Sequence, residues 1–331
     1  MIQSGMKWLA VAASAAVWHG AAVAQSLVKI DGSSTVYPVT EAVAEEFQKA
    51  NRNIKVTVGI SGTGGGFKKF CRGEIDIADA SRPILKSEMA DCAKTGIKYY
   101  ELPVAFDALT VVVNPRNTFI TQMTVAELKK MWEPAAQGKI THWNQINPAW
   151  PNQPIKLFGA GSDSGTFDYF TEAVVGKSKS SRGDYTASED DNVLVQGVAR
   201  DVGAIGYFGF AYYAENSKTL KAVPIVASAG KPAVAPSQSS VLNGSYQPLS
   251  RPIFIYVNDK AYARPEVKGF VEYYLKHGAK LASEVKYVPL PANAYEMNLD
   301  HLRKGKLGTV FGGSAEVGVT IDDLLKREAS L

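Results

Sequence analysis

Along its first third the chain repeats one pattern: a β-branched, alternating run, a cluster of small polar residues, then apolar positions at helical spacing. LVKIDG (27–32) leads through SSTVYP into VTEAVAEEFQKAN, where Val39, Val43 and Phe47 recur every four residues and predict one buried helix face. IKVTVGI (54–60) ends in SGTGGG and is followed by FKKFCRGE, a second predicted helix; IDIADAS (75–81) predicts a third strand. This β-α-β-α-β order predicts a largely parallel α/β sheet, in which ligands sit at the carboxyl ends of the strands. PIKLFGAGSDSGTFDYFTEAVV (154–175) repeats strand, serine loop and helix. DDNVLVQGVARD predicts a short helix and AIGYFGFAYY an apolar strand and turn. YELPVAFDALTVVVNP (100–115) is a long extended run able to carry the chain from one lobe to another, and residues 226–251 read as a long connection. RPIFIYVND is a strong strand, PEVKGFVEYYLKHGAKLA a helix with Val267, Val271, Tyr274 and Leu275 on one face, and IDDLLKRE a short surface helix.

At 331 residues and 46% hydrophobic content the chain exceeds what one core usually supports, so two lobes are expected. Its start has Lys7, an apolar run from Trp8 to Val17 and an AxA pattern at Ala22 and Ala24; it reads as a secretory signal peptide (1–24), cleaved after Ala24. The run is too interrupted for a membrane anchor, and no cysteine lies near the cleavage point to carry a lipid. Removing one Lys takes the formal charge from +4 to 4 − 1 = +3, too mild for a nucleic-acid partner without a basic track. Cys71 and Cys92 predict an intradomain disulfide in an exported protein. His142, His277 and His301 are scattered, and no metal or cofactor is implied.

Three loops share a design in which hydroxyls precede a predicted helix: Ser33, Ser34 and Thr35; Ser61 and Thr63; Ser162, Ser164 and Thr166. A helix cap needs one such residue and gains about 1 kcal/mol from it. Several per loop, with glycines that permit close backbone approach, read together as an anion site of hydroxyls, backbone N–H groups and helix starts. SGTGGGFKK fits neither the Walker nor the dinucleotide glycine spacing. In DIADASRPI, Ser81 and Arg82 close a strand; a guanidinium suits a tetrahedral oxyanion, although spacing alone favours Arg82 pairing with Asp79 or Glu88.

Taken in order, GSSTVYP, ISGTGGG, DIADASRP, ELPVAFDALTVVVNP, GSDSGTFDYF, VGAIGYFGFAYY and SRPIFIYV resemble the phosphate-binding protein (PstS) family of the bacterial phosphate-specific ABC transporter. The resemblance runs from about residue 27 to about 275. It implies a two-lobed α/β fold, the type II periplasmic binding protein. Lobe I would be built from 25–107 and 247–331 and lobe II from 108–246, joined by two crossing segments with the ligand in the cleft. It implies phosphate contacts from Ser33, Ser34, Thr35, Ser61 and Gly62 on one side and Ser164, Gly165 and Thr166 on the other. Family members place an arginine shortly before the serine-glycine-threonine motif; here Gly161 and Ser162 stand there, so Arg82 is the expected replacement, with Ser81 beside it as a further phosphate contact. Asp79 or Asp163 would accept the ligand's proton or orient the arginine. The implied protein is no enzyme but a monomeric, periplasmic, Gram-negative carrier of inorganic phosphate to an inner-membrane ABC permease. A carrier of another oxyanion, sulfate or tungstate, is the alternative. A secreted serine hydrolase using Ser164 with His142 or His301 lacks the GxSxG elbow, and a purely adhesive protein gives no reason for three serine loops.

Overall fold

The computed structural model describes residues 26–331 apart from Asp163 and Glu189; the expected signal peptide and the role assigned to Asp163 lie outside the described residues. Eight main strands are β1 (Ser26–Gly32), β2 (Ile54–Ile60), β3 (Ile77–Ala80), β4 (Tyr99–Val113), β5 (Lys156–Ala160), β6 (Thr186–Ser188), β7 (Ala204–Gly209) and β8 (Ser250–Asn258). They lie side by side in the order β2-β1-β3-β8-β4-β7-β5-β6, and two short strands, Lys221–Ala222 and Val288–Pro289, add to β4. The helices that matter here are α1 (Tyr37–Ala50), α2 (Thr63–Cys71), α3 (Lys86–Thr95), α4 (Gly165–Phe170), α5 (Asp191–Arg200), α6 (Pro265–Glu284), α7 (Ala292–Lys304) and α8 (Ile321–Glu328).

The expected parallel sheet holds at both flanks, where β1 pairs in parallel with β2 and β3, and β5 with β6 and β7. The middle is antiparallel: β8 runs against β3 and β4, and β4 against β7. The long run read as a crossing segment is β4, fifteen residues with every side chain buried. Its first part pairs with β8 and its last five residues with β7, so one strand belongs to both halves of the sheet.

Pro103 has no N–H to give that ladder, and the register shifts beside it: Ile253 faces Ala105 but Phe254 faces Pro103, leaving Val104 unopposed. The carbonyls freed there are taken up from α7, where Asn298 Nδ2 donates to Pro103 O at 2.7 Å and Tyr295 OH to Val104 O at 2.7 Å.

The predicted helix faces are buried: Val39, Val43 and Phe47 on α1, and Val267, Val271, Tyr274 and Leu275 on α6, with Phe47 edge-on to Phe270. The expected disulfide joins Cys71 at the end of α2 to Cys92 in α3, with Cα atoms 4.2 Å apart. Residues 226–251 are more ordered than a plain connection. They hold a helix, Gln238–Leu242, and the buried Tyr246, whose hydroxyl donates to Leu109 O at 2.6 Å. α8 is more than a surface helix, because it buries Ile321, Leu324 and the carboxylate of Glu328.

Candidate functional site

The three serine loops, together with the end of β3, meet where the two halves of the sheet face each other. Ser33–Thr35 follow β1, Ser61–Thr63 follow β2, Ser81 follows β3 and Ser164–Thr166 open α4. Gly165 marks the meeting point. A Cβ built on it would stand 2.3 Å from Ser81 Oγ, 3.2 Å from Ser33 Oγ and 3.3 Å from Thr35 Oγ1, so only glycine lets the second half approach this closely. Thr35 Oγ1 and Thr166 Oγ1 stand 3.5 Å apart across the divide, and Ser81 Oγ is 3.1 Å from Thr63 Oγ1.

Capping explains only part of this supply. Ser164 caps α4 by accepting from Thr166 N at 3.2 Å. α1 and α2 begin after Val36 and Gly62, neither with a side-chain cap. Gly62 takes a positive φ of 75°, open to glycine, and Gly66 packs so tightly that a Cβ would lie 2.7 Å from Gly32 Cα, which brings α2 down onto β1. Ser61 is turned aside: its hydroxyl donates to Asp31 Oδ1 at 2.6 Å, and Lys69 pairs with the other oxygen of that carboxylate.

The guanidinium at this cluster is not Arg82. Arg82 forms a two-pronged pair with Glu88, Nη1 to Oε2 at 2.9 Å and Nη2 to Oε1 at 2.8 Å, one of the two partners that its spacing favours. Arg251, at the start of β8, occupies the cluster instead and is 2% exposed. Its Nη1 donates to Gly165 O at 2.7 Å and its Nη2 to Thr35 Oγ1 at 3.2 Å, while Nε and Nη2 donate to Asp107 Oδ2 at 3.3 and 3.2 Å. The ring of Tyr169 lies under it, 4.7 Å from Cζ. The sequence contains the tetrapeptide SRPI twice, at 81–84 and 250–253, and sequence reasoning weighed only the first as a source of the arginine. The signal that separates them is distant: Glu88 waits for one arginine and Asp107, in the crossing strand, for the other.

Asp79 is fully buried and accepts from Thr40 Oγ1 at 3.1 Å; its Oδ2 has no partner among the described residues. Burial pushes it well above the usual carboxylate range, with Thr40 opposing and Asp31 adding. Two further carboxylates, Asp107 and Asp191, stand beside the cluster. A cavity of about 50 Å³ opens beside the cluster, lined by Ser34, Thr35, Ser164, Thr166, Asp107 and Asp191, with Tyr212 and Tyr287 at its wall. That is room for a small ion, since a water needs roughly 10–15 Å³ on the same measure. Burial pushes Asp107 up, and the Arg251 charge partly offsets this. No group of His, Cys, Asp and Glu suited to a metal occurs among the described residues.

Residues 19–277 match the family model described as a PBP superfamily domain. Protein SphX of Synechococcus elongatus is 57% identical over 319 residues, 96% of this chain and 94% of that one. The phosphate-binding protein PstS of Staphylococcus saprophyticus is 39% identical over 271 residues, 81% of this chain and 82% of its own. The crystal structure of a possible phosphate binding protein from Planctomyces limnophilus is 49% identical, with a TM-score of 0.71 over 85% of this chain and 99% of that one. An ABC-type phosphate transport receptor from Vibrio cholerae shares the fold at 24% identity, with a TM-score of 0.64 over 79% of this chain and 99% of that one. The fold is thus the type II periplasmic binding fold, and the family is one of substrate-binding proteins, not enzymes. The chain belongs to the PstS-type phosphate-binding proteins of the PBP superfamily.

Proposed function

We propose that this chain binds inorganic phosphate between its two sheet halves, acting as two lobes, and carries it to an inner-membrane ABC permease for import. The observation that carries this reading is the gathering of Ser33, Thr35 and Ser81 hydroxyls around Gly165, with Arg251 bonded to the same residue. Hydroxyls can each donate to an anion's oxygens, and a buried guanidinium supplies the charge that a dianion needs on leaving water. Selectivity comes from the carboxylates that line the cavity: Asp107 or Asp191 accepts a hydrogen bond from a protonated phosphate oxygen and repels sulfate, which has no proton to give. In this reading Ser34, Ser164 and Thr166 complete the donor set, and Ser61 and Gly62 act mainly by placing α2. In this reading the chain works in the periplasm, to which its leader-like first 24 residues would direct it, and as a monomer.

Titration calorimetry of residues 25–331 with phosphate and with sulfate tests this, with tryptophan emission as a second signal. Trp132 stands edge-on to Phe170 at the end of α4, 5.6 Å between ring centroids, and should sense closure. One saturating phosphate site, unmoved by a large excess of sulfate, is the expected result. Saturation by sulfate or tungstate instead would make the chain a carrier of that anion, and no binding of any oxyanion would end the reading.

A further inference from the structure

The helix that presents Gly165 to the site carries, four residues on and on the same face, an aromatic ring that a serine-glycine-threonine motif does not require. Tyr169 is 4% exposed, and its ring meets the guanidinium face of Arg251 at 4.7 Å. We propose that Tyr169 is a positioning residue of the anion site, setting the plane of Arg251 so that its Nη edge is directed at the hydroxyl loops. The proposal rests on the anion-binding function given above.

The contacts of Arg251 divide by direction. Asp107 Oδ2, Gly165 O and Thr35 Oγ1 all receive N–H groups, and hydrogen bonds to a guanidinium run along its plane. They fix where the fork aims but resist tilting of the plane only weakly. A ring against the flat face resists that tilt and favours the cation as well, most strongly where water is excluded. The hydroxyl of Tyr169 has a separate task. It lies 2.7 Å from Ser250 O and 2.8 Å from Pro248 O as donor, and accepts from Gly318 N at 3.5 Å. The ring is thereby anchored to the segment that delivers Arg251, while α4 delivers the Gly165 carbonyl, so arginine, ring and carbonyl form one unit across the divide.

Because ring and hydroxyl act differently, substitutions separate them. The full mature chain is titrated with phosphate, sulfate and tungstate in the wild type, Tyr169→Phe, Tyr169→Leu, Arg251→Lys and the Leu/Lys double variant. With Phe the face contact remains, and affinity for whichever anion the wild type binds should stay within about threefold. Leu should weaken it at least tenfold. In the Arg251→Lys background, which has no planar face to steady, adding Leu should cost less than threefold. A residue that served only to hold the fold would give a Leu loss that multiplies that of Lys, and one that acted through its hydroxyl would give equal losses for Phe and Leu; either result overturns the proposal. So does a Leu variant that binds as the wild type does. Those outcomes leave phosphate binding standing, whereas a wild type that binds none of the three anions removes both readings together.

Discussion

Two arginines sit in identical tetrapeptides, and what distinguishes them is the acid each one meets. Arg82 meets Glu88 six residues on, at the start of α3, so its pairing is local and could be suspected from spacing. Arg251 meets Asp107 from 144 positions away, a partner that only the pairing of β4 with β8 supplies. Each is expected to fail differently on substitution. Arg251→Ala should weaken phosphate binding more than tenfold, because Asp107 is left as an unpaired buried charge beside the ligand as well as a donor being lost. Arg82→Ala should change affinity less than threefold and lower stability by about 1 kcal/mol. Calorimetry on the pair decides this, and the opposite ranking would return the anion contact to Arg82. The serines, by contrast, were legible as a set, since an excess of hydroxyls over what capping uses is visible in the chain itself.

At the scale of elements, alternation and four-residue spacing marked the strands and helices that build the site, because their burial follows from local pattern. Strand direction was less legible. Whether β4 and β8 run with or against their neighbours depends on where the chain goes between them, and the shift at Val104 follows from Pro103 meeting a ladder that no local signal announces. The disulfide was readable from compartment and count. It closes a loop that contains β3, Ser81 and Arg82 and ties α2 to α3. Replacing both cysteines by alanine should cost about 3 kcal/mol of stability, on the loop-entropy model for a loop of this length. Thermal unfolding should register that loss as a lower Tm. Phosphate affinity well below that temperature should change less than threefold, since Ser81 keeps its contacts to Thr63. A large loss of affinity without loss of Tm would contradict this.

For the whole molecule, the C-terminal helix adds a pH dependence that the sequence concealed, because a glutamate in the last turn of an amphipathic helix looks solvated. Glu328 is 1% exposed, with Oε2 3.5 Å from His301 Nδ1, and burial pushes it up to about 8, with Glu101 adding. Glu101, bonded to Tyr256 OH at 2.5 Å and to Val310 N at 3.0 Å, is pushed up to about 7 by burial. The folded protein therefore holds protons that the unfolded chain gives up near the ordinary value of 4.5. Their stabilisation is full below that value and is lost as pH rises to about 7 for Glu101 and about 8 for Glu328. His301 acts the other way, since burial and then Lys306 lower it, so its contribution is lost on acidification. Unfolding midpoints measured from pH 5 to pH 9 should fall through neutrality, and Glu328→Gln should flatten the decline; an unchanged slope in that variant would clear Glu328 of the effect.

One strand, β4, passes unbroken through both halves of the sheet, and at the passage Leu109 N donates to Leu249 O at 2.7 Å, tying to it the stretch that leads into β8. Two hydrogen-bonded extended chains bend far more readily about an axis lying in their ribbon than they slide or shear. In the carrier proposed above, the halves would part by flexing this ribbon. In the proposed carrier the consequence would be one of registration: a ribbon held by backbone hydrogen bonds would bring Gly165 back to Ser33, Thr35 and Ser81 each time the halves close.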